Sequence, residues 1–180
     1  MLAIVPQSSQ RPRGVRKCVE SAGMDHTSGN YCCGIDIGGS GVKGAIVDMD
    51  TGEFATDRIK IATPQPATPE AVAETVAEIV RQLERDGPVG ICLPSVVSEQ
   101  VAMTAANIDD AWIGTDVHEL FSEHVPGRDI AVLNDADAAG LAEVAFGDEI
   151  CRTGAVMFLT FGTGIGSALL MDGDLFPNTE

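Results

Sequence analysis

No apolar run in this 180-residue chain approaches the ~20 residues that a membrane-spanning helix needs. The opening Leu2-Ala-Ile-Val5 is too short for a secretory signal, and Pro6 ends it. Cations are scarce as well: 11 Lys and Arg face 27 Asp and Glu, a formal charge of −16. Four of those cations (Arg11, Arg13, Arg16 and Lys17) lie in the first 30 residues, so residues 31–180 are strongly acidic. Nucleic acid demands a basic face and is excluded as an expected partner, and so is a membrane. Paired CxxC spacing is also missing. The five cysteines, Cys18, Cys32, Cys33, Cys92 and Cys151, are odd in number, and His26, His118 and His124 form no ligand pattern with them. They read as reduced thiols of a cytoplasmic protein, with Cys33 and Cys92 in core strands, and no zinc is expected.

What is present is a soluble, globular composition, 44% hydrophobic, long enough for one core or for one domain and the start of another. Residues 1–30 mix Gln, Ser, Pro, Gly and basic residues with little periodicity, which predicts a disordered basic extension and no DNA-binding helix-turn-helix. Order is expected from Tyr31. The pattern then divides into a main domain over 31–153 and the beginning of a second over 154–180.

Strands are expected at Cys33–Ile37, Lys43–Met49 and Glu53–Ala62, followed by a proline-rich loop over Thr63–Pro69. The clearest helix comes next. Thr68 suits the N-cap, Pro69 the first helical position and Glu70 the positive helix end, while Val72, Val76, Ile79, Val80 and Leu83 share one face and Gly87 closes it. Val89–Leu93 is a short buried strand. Residues 96–115 read as loop with a strand near Gln100–Thr104, and Asp116–His124 as a short helix. Ile130–Leu133 is a strand running into Asn134-Asp135, Ala136–Phe146 a helix of small residues ended by Gly147, and Ala155–Phe161 with Ile165–Met171 a strand pair. The order is that of an α/β core with a new hairpin after it.

Two glycine-rich turns stand out. The first, Gly38-Gly39-Ser40-Gly41, joins the first two strands, with Asp36 before it and Lys43 after it. The second, Gly162-Thr163-Gly164-Ile-Gly166, joins the last two. Glycine tolerates positive φ and exposes backbone N–H groups, so either turn suits a phosphate or a plain hairpin. Neither is a Walker loop, and no GxGxxG precedes a helix. Asp36 is placed to hold water or Mg²⁺, and Lys43 to neutralise phosphate. Between the turns, Asn134-Asp135 ends a strand, where open α/β sheets bind ligands. Asp135 there suits a general base and Asn134 an orienting amide, although both residue types also cap helices. Asp137 reads as a first-turn acid.

Taken together, these segments resemble the sugar kinases of the actin-like ATPase (ribonuclease H-like) superfamily, specifically the ROK family and, within it, the polyphosphate glucokinases of actinobacteria. The resemblance is carried by Gly34–Asp48, Thr63–Pro69, Thr104-Ala-Ala-Asn-Ile-Asp109, Trp112-Ile-Gly114, Asn134–Glu143, Leu159–Ser167 and Pro177-Asn-Thr-Glu180. It implies an α/β N-terminal domain of that fold with the first hairpin of a second, incomplete domain. It also implies phosphoryl transfer from polyphosphate, or ATP, to the 6-hydroxyl of glucose. Asp135 matches the catalytic base; Asn107, Asn134 and Glu180 match sugar-binding positions; Gly38, Gly39, Ser40, Lys43, Gly162, Thr163 and Gly164 match the phosphate loops. Asp36 lies near the expected Mg²⁺, and relatives of this kind are often homodimers.

Three departures are visible. Leu93-Pro94-Ser95 stands where the family has a Pro-Gly turn. The ROK zinc cluster is not in this segment. The family continues as Glu-x-Gly-His beyond the position of Glu180, so the 180 residues alone are expected to lack one wall of the donor site and to be inactive in isolation. Two alternatives stay open: a ROK kinase that uses ATP only, and a catalytically incomplete or non-catalytic sugar-binding ROK protein.

Overall fold

The computed structural model describes residues 30–162, 164–176 and Thr179. The extension predicted over residues 1–30 therefore lies outside the described residues apart from Asn30, as do two site candidates, Thr163 and Glu180.

Five strands form the main sheet: β1 (Tyr31–Gly38), β2 (Gly41–Asp48), β3 (Ile59–Ile61), β4 (Val89–Leu93) and β7 (Ile130–Asn134). Their order is β3-β2-β1-β4-β7. The first three make an antiparallel meander, and β1, β4 and β7 run parallel. The two parallel connections carry helices α1 (Pro69–Gln82) and α2 (Val117–His124), and α3 (Asp135–Phe146) comes directly after β7. Alternate strand residues point to opposite faces of a sheet. Ile35, Ile37, Ile91 and Leu93 therefore join Val72, Val76 and Ile79 of α1 and Phe121 of α2 in the main core. On the other face, Cys92 and Leu133 meet Ala138 and Ala142 of α3.

The start of α1 is as its sequence dictates, with the Thr68 hydroxyl accepting from the Ala71 amide and Pro69 opening the helix. Its end is not at Gly87. Leu83 caps the helix and Glu84 turns left-handed at φ 47°, so the chain leaves the helix before the glycine is reached. Gly44 of β2 gives α1 its seat, because a β-carbon there would run into Ile79 and Ile35.

The third strand is much shorter than Glu53–Ala62. Phe54 makes only an isolated bridge to Val47, and the Ile46 amide donates to the Thr56 hydroxyl at 3.0 Å where a ladder carbonyl would normally accept. A side chain standing in for the backbone in this way interrupts strand pairing. The strand expected near Gln100–Thr104 is β6 (Val101–Ala102), which pairs with β5 (Val97–Ser98) in a small hairpin turned by Glu99 and Gln100 at positive φ.

A second, three-stranded sheet holds β8 (Ala155–Phe161), β9 (Ile165–Met171) and β10 (Asp174–Phe176) in the order β10-β9-β8. Its inner face, with Ala168 and Leu170 buried, packs on α3. Small helix residues permit the approach: a β-carbon at Gly140 would lie 3.0 Å from that of Ala168. Met157, Phe161, Ile165 and Met171 are exposed, and the strand register puts all four on the outer face. No helix among the described residues is long and apolar enough to cross a membrane. None of Cys32, Cys33, Cys92 and Cys151 is in a disulfide, and burial pushes the Cys33 thiol up to about 12.

Candidate active site

The first glycine turn sits at the end of the β1–β2 hairpin, where Gly38 pairs with Gly41 and leaves Gly39-Ser40 as the loop. That register places Asp36 opposite Lys43, and Lys43 Nζ donates to Asp36 Oδ2 at 2.9 Å. The expected phosphate cation is therefore already held by the expected metal carboxylate. Asp36 is mostly enclosed, with 14% of its side chain exposed against 35% for Lys43, so the pair stays partly open toward a ligand.

The turn's glycines are not there for positive φ. Gly38, Gly39 and Gly41 are absent from the residues with left-handed backbone, as are Gly162, Gly164 and Gly166 of the second turn. The reason, where one exists, is close approach. A β-carbon on Gly39 would stand 2.7 Å from the carbonyl oxygen of Asn107, so the first glycine turn and the Asn107 segment touch backbone to backbone. The Thr63 hydroxyl donates to the Gly38 carbonyl and ties the turn to the loop after β3.

Asn107 itself is left-handed, at φ 62°, a conformation that Asn tolerates better than most side chains. Its segment is fixed at both ends. Ala106 donates to the Pro94 carbonyl at 3.0 Å, and Asp109 caps a short 3₁₀ turn over Asp110–Trp112. Trp112 is fully buried and donates through Nε1 to the Ala67 carbonyl at 2.9 Å. The Trp112-Ile-Gly114 motif is thus an anchor for the loop that carries Asn107.

At the carboxyl end of β7, Asn134 is buried and caps α3: its Oδ1 accepts from Ala136 at 2.7 Å and from Asp137 at 3.3 Å. Its Nδ2 donates to the Ser95 carbonyl at 3.1 Å. The capping reading of Asn134 is therefore real. Ser95 accounts for its own departure from a glycine: it is 1% exposed, its φ is not left-handed, and its Oγ accepts from the Thr104 amide at 3.4 Å. Serine adds a tie between the β4 end and the Asn107 segment where a glycine would add none.

Asp135 opens α3 with its side chain exposed at the end of the sheet. Surrounding protein still strips enough water to push its carboxyl above the ordinary value; the Asp36 charge adds to the rise, and the Ala136 amide, donating at 2.9 Å, opposes it. A carboxylate with a raised pKa at a strand end is suited to taking a proton near neutral pH. Asp137, two residues further in the same first turn of α3, is buried. The second glycine turn comes to the same place through Gly166, where a β-carbon would lie 3.0 Å from that of Ala136.

The structure therefore brings Asp36, Lys43, Gly39, Asn107, Asn134 and Asp135 to one end of the sheet. Gly162 and Gly164 are in the loop between β8 and β9, with nothing crowding either. Sequence reasoning missed Thr63 and Thr104 as ties and Ser95 as a hydrogen-bond hub. Their only signal was a hydroxyl residue at a strand end. Magnesium takes one or two carboxylates together with substrate phosphates and keeps several waters. Asp36 and Asp135 fit that role, and no group of three or more His, Cys, Asp or Glu among the described residues forms a cage made by protein alone.

The chain matches the ROK family over residues 32–177. It is 53% identical over 154 residues to the polyphosphate glucokinase of Mycobacterium tuberculosis, covering 86% of this chain and 58% of that protein. Among solved structures it superposes on the inorganic polyphosphate/ATP-glucomannokinase of Arthrobacter sp. strain KM with a TM-score of 0.78 and 46% identity, over 83% of this chain and 62% of that one. A ROK family glucokinase from Streptomyces griseus, in complex with glucose and AMPPNP, gives a TM-score of 0.70 at 28% identity, over 81% and 46% of the two chains. This chain thus spans less than two thirds of the length of these relatives. The mixed α/β fold is the actin-like fold of these sugar kinases, as the resemblance implied.

Proposed function

Given that this chain belongs to the ROK family, we propose that it supplies the acceptor side and part of the donor side of a glucokinase. The reaction transfers a phosphoryl group from polyphosphate or ATP to the 6-hydroxyl of glucose. The observation that carries this reading is the meeting of Asp135, with its raised pKa, and the Asp36–Lys43 pair beside a glycine turn that touches Asn107.

In this reading the glucose lies between Asn107 and the end of β7, with Asn107, Asn134 and Glu180 holding ring hydroxyls. Asn134 offers its remaining amide hydrogen, because its oxygen is spent on the α3 cap. Asp135 takes the proton of the 6-hydroxyl. The freed oxygen attacks the terminal phosphorus, the bond from that phosphorus to its bridging oxygen breaks, and a shortened polyphosphate or ADP departs. Little covalent chemistry is asked of the protein, so positioning and charge neutralisation dominate. Amides of the first glycine turn and of Gly164 are offered to the phosphates, whereas the Gly162 amide is donated to the Gly164 carbonyl at 2.9 Å and shapes the second turn; the Lys43 ammonium adds positive charge beside the first turn. A Mg²⁺ ion, when bound by Asp36 and the donor, supplies further charge neutralisation at the phosphates. We place the protein in the cytoplasm and, at the length of its relatives, in a homodimer.

The test uses two proteins: the 180-residue chain, and the same residues joined to the remaining length of the M. tuberculosis polyphosphate glucokinase. The joined protein is expected to form glucose 6-phosphate from polyphosphate or ATP. No product from either donor, in a protein whose melting temperature also fails to respond to glucose, would overturn the proposal.

A further inference from the structure

Lys60 is not among the residues that the sequence marks out for chemistry. It belongs to edge strand β3, where the register sets it directly opposite Lys43, and Lys43 in turn is opposite Asp36. Residues directly opposite in a sheet share a face. Lys60, Lys43 and Asp36 therefore form a row across three strands, on the α3 face of the sheet. The row runs from the sheet's open edge toward the carboxylate whose charge acts on Asp135.

Two lysines side by side repel each other unless anions are near. Asp36 supplies one for Lys43. Lys60 makes no ion pair among the described residues. Its neighbour Arg58 has its guanidinium over the Phe54 ring, 5.7 Å from the centroid. The Lys60 stem nonetheless holds a defined course. A β-carbon on Gly41 would lie 2.7 Å from Lys60 Cε and 3.6 Å from its Cγ, so the side chain crosses directly over the first glycine turn. Gly41 keeps that path clear, and the ammonium, one bond beyond Cε, ends beside the turn.

We propose that Lys60 is a second cationic contact for an extended polyanionic donor, binding a phosphate further along the chain than the one transferred. The role rests on polyphosphate being a donor for this site. A linear polyphosphate with its terminal group near Asp135 and Lys43 leaves the cleft past the β3 edge, where the rest of this acidic chain offers it few cations. A single orthophosphate engaged at Lys43 has no second phosphate to offer Lys60. The contact therefore discriminates by donor length.

The experiment is calorimetric titration of the joined protein at low ionic strength with long-chain inorganic polyphosphate and, separately, with orthophosphate. Lys60→Gln is expected to weaken long-chain polyphosphate about fivefold, the size of one exposed charge contact, and orthophosphate by less than about twofold. Lys60→Arg should keep wild-type affinity. Gly41→Ala, which displaces the stem while leaving the charge, should weaken polyphosphate as Lys60→Gln does. Equal polyphosphate binding by wild type and Lys60→Gln would overturn the role of Lys60 and leave the donor reading standing. A wild type that binds no polyphosphate would overturn both.

Discussion

The carbonyl oxygen of Asn107 lies 2.7 Å from the point where a β-carbon of Gly39 would be built. One glycine therefore lets the first glycine turn and the Asn107 loop share a boundary. The opposing atom is backbone, so the chain itself has to move to admit a methyl group. Gly39→Ala is expected to lower stability by about 1–3 kcal/mol, in the range of overpacked sites. In the joined protein it should raise KM for glucose as well as for the phosphoryl donor. Denaturant titration and steady-state kinetics check this. A donor effect without a glucose effect would mean that the contact does not couple the two loops.

Asn134 holds a helix and a loop at once. Asn134→Ala removes the α3 cap on two amides and leaves the buried Ser95 carbonyl without its donor. Capping and an unsatisfied acceptor together are expected to cost about 2–4 kcal/mol, read from urea midpoints. Asn134→Ser, which restores the cap but not the donor to Ser95, should recover part of the loss.

The raised pKa of Asp135 has a consequence for stability. Between the unfolded and folded pKa values the native state holds more protons than the unfolded state, so stability falls as pH rises through that window. Above it, ionised Asp135 is a standing cost. Asp135→Asn is therefore expected to melt higher than wild type at neutral pH, with the difference vanishing below about pH 3.9, the unfolded value. Thermal melts at a series of pH values measure it. A variant that melts lower at neutral pH would contradict the assigned direction.

Much of the site is legible in particular residues. The two-residue Gly39-Ser40 loop sets the hairpin register, which alone brings Asp36 opposite Lys43. Thr68, Pro69 and the Val72–Val80 stripe define the start and buried face of α1. Its end is not legible, because Glu84 takes the left-handed conformation that glycine was expected to supply. The third strand reads too long because nothing in Glu53–Arg58 announces that the Thr56 hydroxyl replaces a ladder partner. The purpose of the turn glycines is also hidden. Positive φ is a local property and can be guessed from sequence, whereas the approach of Asn107 to Gly39 or of Lys60 to Gly41 exists only once distant segments pack. Ser95 is visible as a departure, but its ties to Thr104 and Asn134 likewise need the fold.

Lys43 is paired with Asp36, so losing the lysine also takes a cation away from a mostly enclosed carboxylate whose charge acts on Asp135. Lys43→Met is expected to raise the pKa of Asp135 further, because the Asp36 charge that already raises it then loses the offsetting Lys43 ammonium. The acid limb of the pH–rate profile of the joined protein should move to higher pH, in addition to a loss of donor affinity. An unmoved limb would indicate that the pair does not influence the base.

The central claim is that Asp135 accepts the proton of the attacking hydroxyl. The most direct measurement is the rate of glucose 6-phosphate formation by Asp135→Asn in the joined protein, alongside glucose binding by the same variant. The account predicts a loss of about 10²–10⁴-fold in kcat with glucose still bound, the size of a missing general base. A variant that keeps the wild-type rate would contradict it.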